Sequence, residues 1–260
     1  MVIFTLSACC SAAQIDPREL VRQSIENGQQ SWKAAADYAC TKQVRERQFD
    51  SNGAEKSFAE DEFSVIPLGY GASYEEPSKH NGAPVPPDVR QRSQKELEKL
   101  RAEPPASKQR RFEKAVAERA YMEEVPDAFT FRITGTEHLS TGPAWVIEAT
   151  PKPGYEPKSR YAHVFAKMRG TLWIDQKDRQ WVKADAVAAD NVSFGVVVAR
   201  LAKGSHILLE QEKLPSGDWV PKSLEAKAAA RVFMLFAHNF EENITYNNYR
   251  KPAPLEAQAR

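Results

Sequence analysis

The 260-residue chain carries 36 Lys and Arg against 35 Asp and Glu, a net charge of +1, and 42% of its residues are hydrophobic. That length suits one large or two small domains, and the balanced charge supplies no basic field to attract nucleic acid. No run approaches the roughly 18 apolar residues of a membrane-spanning helix.

The chain opens on a short apolar run, Met1-Val2-Ile3-Phe4-Thr5-Leu6, followed by small residues through Ala13. This resembles the tail of a secretory signal without its positive front, so residues 1–13 read as a signal-like, truncated segment. Two processing routes fit. Ser11-Ala12-Ala13 offers the small residues that signal peptidase requires and gives a product beginning at Gln14. Leu6-Ser7-Ala8-Cys9 resembles a bacterial lipobox, in which Cys9 is lipidated. Cleavage after Ala13 leaves Cys40 as the sole cysteine, with no internal disulfide.

Asp16-Pro17-Arg18-Glu19 is a helix start: Asp16 caps, Pro17 suits the first turn and Glu19 completes a capping box. Leu20, Val21, Ile25, Gly28 and Trp32 recur at helical spacing, predicting an amphipathic helix over 16–36. From Asp37 the period becomes that of strands. Tyr38 to Phe49 is one, Asp50-Ser51-Asn52-Gly53 a turn, and Phe58 to Ile66 a second, stopped by Pro67. Asn81-Gly82 marks a further hairpin. Residues 88–125 form a charged helical insertion split at Pro104-Pro105, laced with i,i+4 pairs such as Lys114 with Glu118.

After Pro126 the chain reads as successive strands: Ala128 to Glu137, Ala144 to Thr150, Ala162 to Asp175, Arg179 to Lys183, Ser193 to Leu201, His206 to Leu214, Trp219 to Val232 and Phe240 to Tyr249. The clearest hairpin is Gly170 to Ala186, with Gln176-Lys177-Asp178 as its turn. Trp173 and Trp181 are expected to stack across it, on the face opposite Leu172, Ile174 and Val182. In the Trp219 strand, Leu224, Ala226, Ala228 and Ala230 share one face, and so many alanines leave volume for neighbours or a ligand to fill. About ten strands at close spacing give an α+β, mainly antiparallel β fold built on one large sheet.

Reaction chemistry is not visible. The five histidines are scattered without metal-ligand spacing, and no nucleophile elbow, zincin or phosphate-loop motif is present. Asp175, Asp178, Asp185 and Asp190 surround the hairpin as turn and strand-face acids. The expectation is a non-catalytic protein with no metal and no cofactor.

The leading helix, the meander, Leu172-Trp173-Ile174-Asp175 with Trp181-Val182, and the later Asp218-Trp219-Val220-Pro221-Lys222 together resemble the bacterial outer-membrane lipoprotein-carrier superfamily (LolA-like, with LolB-like and MucB/RseB-like relatives). The resemblance covers 16–36 and most of 128–250. It implies a single domain over 14–250, a curved, incompletely closed half-barrel with helices over its mouth; the Pro-rich segment at 251–260 reads on its own composition as a disordered tail. The resemblance also implies lipid or lipoprotein acyl chains on the concave face, and a periplasmic or, with Cys9 lipidated, outer-membrane-anchored location. Candidate cavity residues are then Leu172, Ile174, Val182, Leu224, Ala226 and Ala228. The regulatory relatives imply an alternative, an envelope sensor that docks a protein partner through the helical insertion.

Overall fold

A computed structural model describes residues 15–50, 52–194, 199–232 and 236–252; Cys9 lies outside them. The first helix, α1 (Pro17–Ala35), is capped by Asp16, whose side chain accepts from the Arg18 amide at 3.0 Å. Glu19 does not close the capping box; its carboxylate is taken by Arg22 and Gln23. Leu20, Val21, Ser24 and Gly28 form the buried stripe of this helix.

Strands β1 (Ala39–Phe49), β2 (Glu55–Gly69), β3 (Ala72–His80) and β4 (Ala83–Pro84) follow. Pro67 does not stop β2. The ladder with β1 ends at Val65 opposite Cys40, so the missing amide of Pro67 removes no bond from it. Asn81 and Gly82, both at positive φ, turn β3 into β4. The charged segment is helical, as α2 (Pro87–Ala102) and α3 (Pro105–Arg119), broken at Pro104-Pro105. A 3-10 turn (Ala120–Glu124) and the short α4 (Val125–Ala128) lead back to the sheet.

The second half supplies β5 (Phe129–Leu139), β6 (Gly142–Pro151), a 3-10 turn (Ala162–Lys167), β7 (Met168–Asp175), β8 (Trp181–Ala188), β9 (Val192–Phe194), β10 (Ala199–Leu201), β11 (His206–Lys213), β12 (Trp219–Val232) and β13 (Phe236–Arg250). All pairings are antiparallel, in the order β4-β3-β2-β1-β13-β12-β11-β8-β7-β6-β5, with the β9-β10 hairpin attached to β12. The sheet is open, with β4 and β5 at its edges, and α1 lies against one face, touching β5, β8 and β12. Residues 162–167, which read as strand from sequence, are helical instead, and β7 begins only at Met168.

The register carries one apolar row across eight strands. Directly paired residues share a face, and the chain of partners runs Ile133, Ile147, Leu172, Ala184, Leu209, Leu224, Ile244, Val44. The adjacent row runs Phe131, Ala149, Gly170, Ala186, Ile207, Ala226 and ends on Glu242 opposite Glu46. The α1 stripe lands on the β5–β8 end of these rows, where Leu20, Val21, Val125, Phe131, Ile147, Ala149 and Ile174 form the core. Burying such side chains is worth about 1.5–3 kcal/mol each, which anchors the apolar stripe of the helix there, while α1 also reaches β12.

The loop after β6 is held by one carboxylate. Glu124 is buried and accepts from the Tyr155 hydroxyl at 2.6 Å, the Lys158 amide at 2.8 Å and the Ser159 amide at 3.1 Å. Burial pushes its carboxyl up, but the three donors outweigh burial and hold it below the ordinary value of 4.5. A lowered folded-state value contributes stability above 4.5 that disappears as pH falls through the folded value. Glu124→Gln is therefore expected to lower the urea midpoint at neutral pH, and the gap to wild type should close as pH falls below 4.5 and through the lowered folded value. A gap of constant size across that range would assign the acid sensitivity to other groups.

Candidate functional site

Between α1 and the β5–β8 half of the sheet lies a cavity of about 300 Å³, at the low end of the roughly 300–1,000 Å³ typical of small-molecule sites. Its floor is the two rows just described: Phe131, Ala149, Gly170 and Ala186 from one, Leu172, Ala184 and Leu209 from the other. Its roof is Ser24 and Ile25 of α1, Tyr121 and Met122 of the first 3-10 turn, and Val164 and Phe165 of the second. The space exists because three successive floor positions are small. At Gly170 even a methyl group is excluded, since a Cβ there would run into the Asp185 carbonyl oxygen and sit 3.1 Å from the Ala186 Cα. The β7 backbone thus approaches β8 as closely as only glycine permits.

Trp181 closes one side of the cavity, and a β-bulge puts it there. Trp173 pairs with Lys183 but Ile174 pairs with Trp181, so Val182 is an extra residue. The two tryptophans consequently do not stack as expected from strict alternation. Trp181 turns to α1, where its Nε1 lies close enough to Gly28 to leave no room for a side chain. Trp173 turns to the other face, donates from Nε1 to Glu137 at 2.6 Å and lies under Lys183 Nζ at 4.6 Å. The turn between β7 and β8 is also longer than the three residues read from sequence: Gln176–Gln180, with Arg179 at φ 54°.

The tryptophan and aspartate motifs that carried the family resemblance build a polar clasp beside the cavity. Asp175 accepts from the Lys177 amide at 2.9 Å and the Asp178 amide at 2.7 Å, closing the turn. Asp178 accepts from Trp219 Nε1 at 2.9 Å and pairs with Lys213, tying the β7-β8 turn to β11 and β12. The buried Gln180 donates to Gln211 at 2.7 Å and accepts from Ser31 of α1 at 3.2 Å. Asp218 accepts from Tyr38 at 2.5 Å. Asp185 faces His206 at 2.8 Å, and Asp190 is near Lys167. Each of these acids has a local partner, and among the described residues no group of three or more His, Cys, Asp or Glu is placed to hold a metal ion.

A second tie holds the roof. Trp32 of α1 stacks on Phe112 of α3 at 6.3 Å and 5°, and the Arg119 guanidinium lies 4.7 Å from its ring centre. Such a cation–π contact is worth about 0.5–2 kcal/mol. The charged hairpin is thereby attached to the helix that covers the cavity.

Of the six candidate cavity residues, Leu172 lines the enclosed space. Ile174 is fully buried in the core with Leu20 and Val21, and Val182 is buried at the bulge. Leu224 and Ala226 stand in the same two rows, one strand beyond Leu209 and Ile207, and Ala228 is paired with Phe240. The sequence reading passed over Ala149, Gly170, Ala184, Ala186 and the aromatic roof. The alternating alanines of Ala184-Asp185-Ala186-Val187-Ala188 carry the same small-residue signal that was recognised in the β12 strand.

No family profile and no curated sequence matches the chain. Among solved structures, it is similar to a DUF1329 family protein from Desulfovibrio piger (11% identity, 93% of this chain and 95% of that one, TM-score 0.33). It is also similar to a LolA superfamily protein from Nitrosomonas europaea (10% identity, 94% and 97%, TM-score 0.33). A third is a Vibrio parahaemolyticus domain provisionally described as outer membrane lipoprotein-sorting (9% identity, 92% and 96%, TM-score 0.30). No helix among the described residues is long and apolar enough to cross a membrane.

Proposed function

We propose that this chain is a non-catalytic binding protein of the bacterial envelope that shelters a lipid or lipoprotein acyl chain in the cavity under α1. The observation that carries the proposal is the pair of apolar rows: a trough with a floor of small residues, a roof from α1 and the two 3-10 turns, and few polar groups. An acyl chain gains about 0.8 kcal/mol per buried methylene, so such a trough sets affinity by length and needs no polar anchor. Leu224, Ala226 and Ala228 extend the apolar surface past the enclosed part, giving longer chains a place to lie. The charged hairpin, residues 88–125, acts in this reading as an insertion that steadies the roof through Trp32.

The test is saturable binding of a fluorescent fatty acid, together with native mass spectrometry of protein secreted to the periplasm. Wild type is expected to bind the probe and to carry a co-purifying acyl lipid. Ala186→Trp fills the floor of the cavity and is expected to weaken binding more than tenfold with an unchanged far-UV spectrum. Equal binding by wild type and Ala186→Trp would remove the cavity as the site.

A further inference from the structure

Resting on the acyl-chain reading above, we propose that the cavity selects a single-chain amphiphile with an anionic head group, a carboxylate or a phosphate, and that Arg160 receives the head.

An aromatic ladder leads from the floor of the cavity to the surface. Phe131 touches Phe129 at 6.1 Å, Phe129 touches Phe165 at 5.7 Å, Phe165 stacks on Tyr121 at 5.8 Å, and Tyr121 meets Tyr161 at 5.8 Å. The first four line the cavity. Tyr161 is 40% exposed, one ring beyond the lining. Over its face sits the Arg160 guanidinium, 4.6 Å from the ring centre, with one Nη donating to the Tyr161 hydroxyl at 2.6 Å. A guanidinium has five N–H donors in a fork that fits a carboxylate or phosphate. Among the described residues Arg160 forms no ion pair; the nearby Lys158 pairs with Asp127 at 3.9 Å. An exposed guanidinium over a tyrosine ring, with one N–H on the hydroxyl, keeps donors to spare.

The other end of the trough has the opposite sign. The second apolar row ends where Ala226 gives way to Glu242, directly opposite Glu46. Two carboxylates facing each other repel an anionic head. The molecule therefore has one polarity: tail along the rows toward β12, anionic head at Arg160. The modest volume under α1 accommodates one chain rather than a bundle of them.

The test is isothermal titration with dodecanoate, dodecyl phosphate, dodecylphosphocholine and dodecyltrimethylammonium, each below its micelle concentration, against wild type, Arg160→Ala, Arg160→Glu and Ala186→Trp. The expected result is tighter binding of the two anions than of the cation. Arg160→Ala should weaken the anions about fivefold and leave the zwitterion and the cation unchanged, and Arg160→Glu should reverse the order. The relative affinity of carboxylate and phosphate then separates a fatty acid from a phospholipid-type head. Equal affinity for all four probes, or anion binding untouched by Arg160→Ala, would overturn the head-group assignment while leaving the acyl-chain reading in place. Failure of all four to bind wild type would overturn both.

Discussion

Gly170→Ala is expected to lower stability by about 3 kcal/mol, the upper end of the roughly 1–3 kcal/mol usual for overpacking. The added methyl has nowhere to go: the atoms it meets are the Asp185 carbonyl and the Ala186 Cα, which are backbone and cannot rotate away as a side chain would. Relief requires the β7 and β8 strands to separate, breaking the pairing of Gly170 with Ala186. Urea titration checks the prediction, with a shifted midpoint at constant slope as the expected signature. The control is Gly135→Ala. That glycine is on the exposed edge strand with nothing within 4 Å of a new Cβ, so its effect should stay within about 0.5 kcal/mol. Because loss of unfolded-chain entropy favours alanine at both positions, similar losses at both would mean that the close approach of β7 and β8 is not what makes Gly170 sensitive.

Trp219→Ala is expected to cost about 4 kcal/mol, the size of other buried aromatic truncations. The ring is buried, its Nε1 donates to Asp178 at 2.9 Å, and Lys213, which also pairs with Asp178, lies 5.8 Å from the ring centre. Truncation leaves a cavity and takes one donor from a carboxylate in the clasp. Burial raises the Asp178 carboxyl, but the bonds from Lys213 and Trp219 outweigh that and hold it below its ordinary value. Trp219→Phe keeps most of the volume and loses only the hydrogen bond, which should cost about 1 kcal/mol. Comparing the two variants in urea separates packing from bonding. Equal losses would make the Asp178 bond the whole of the effect.

The large-scale architecture was legible because its signals are periodic. Asp16-Pro17 and the Leu20, Val21, Ile25 stripe mark α1, Asn81-Gly82 marks a hairpin, and the alternation in β12 places Leu224, Ala226 and Ala228 on one face, as the register does. What alternation cannot show is a break in alternation. The single extra residue at Val182 moves Trp181 from the expected outer face to the cavity wall, and no local residue type announces the bulge. Gly170 was legible as a strand residue but not as a position where backbones nearly touch, since that depends on its partner across the sheet. The cavity was legible only in kind. Small residues on a strand face signalled volume, but the roof of α1 and the two 3-10 turns stands over Ala149, Gly170 and Ala186 rather than over the β12 alanines, so the cavity formed there.

The pairing of β1 with β13 has a consequence for how the chain reaches this state. These strands lie side by side in the middle of the sheet, with Val44 opposite Ile244 and Glu46 opposite Glu242, although nearly the whole chain separates them in sequence. Until β13 has been synthesised, β1 and β12 each present an open row of amides and carbonyls, in a sheet whose two halves cannot join. Ordering so distant a contact makes folding slow, and the waiting intermediate exposes strand edges prone to pairing with other chains. The last strand is the keystone of the assembly, and the interval before it arrives is when the protein most needs a chaperone.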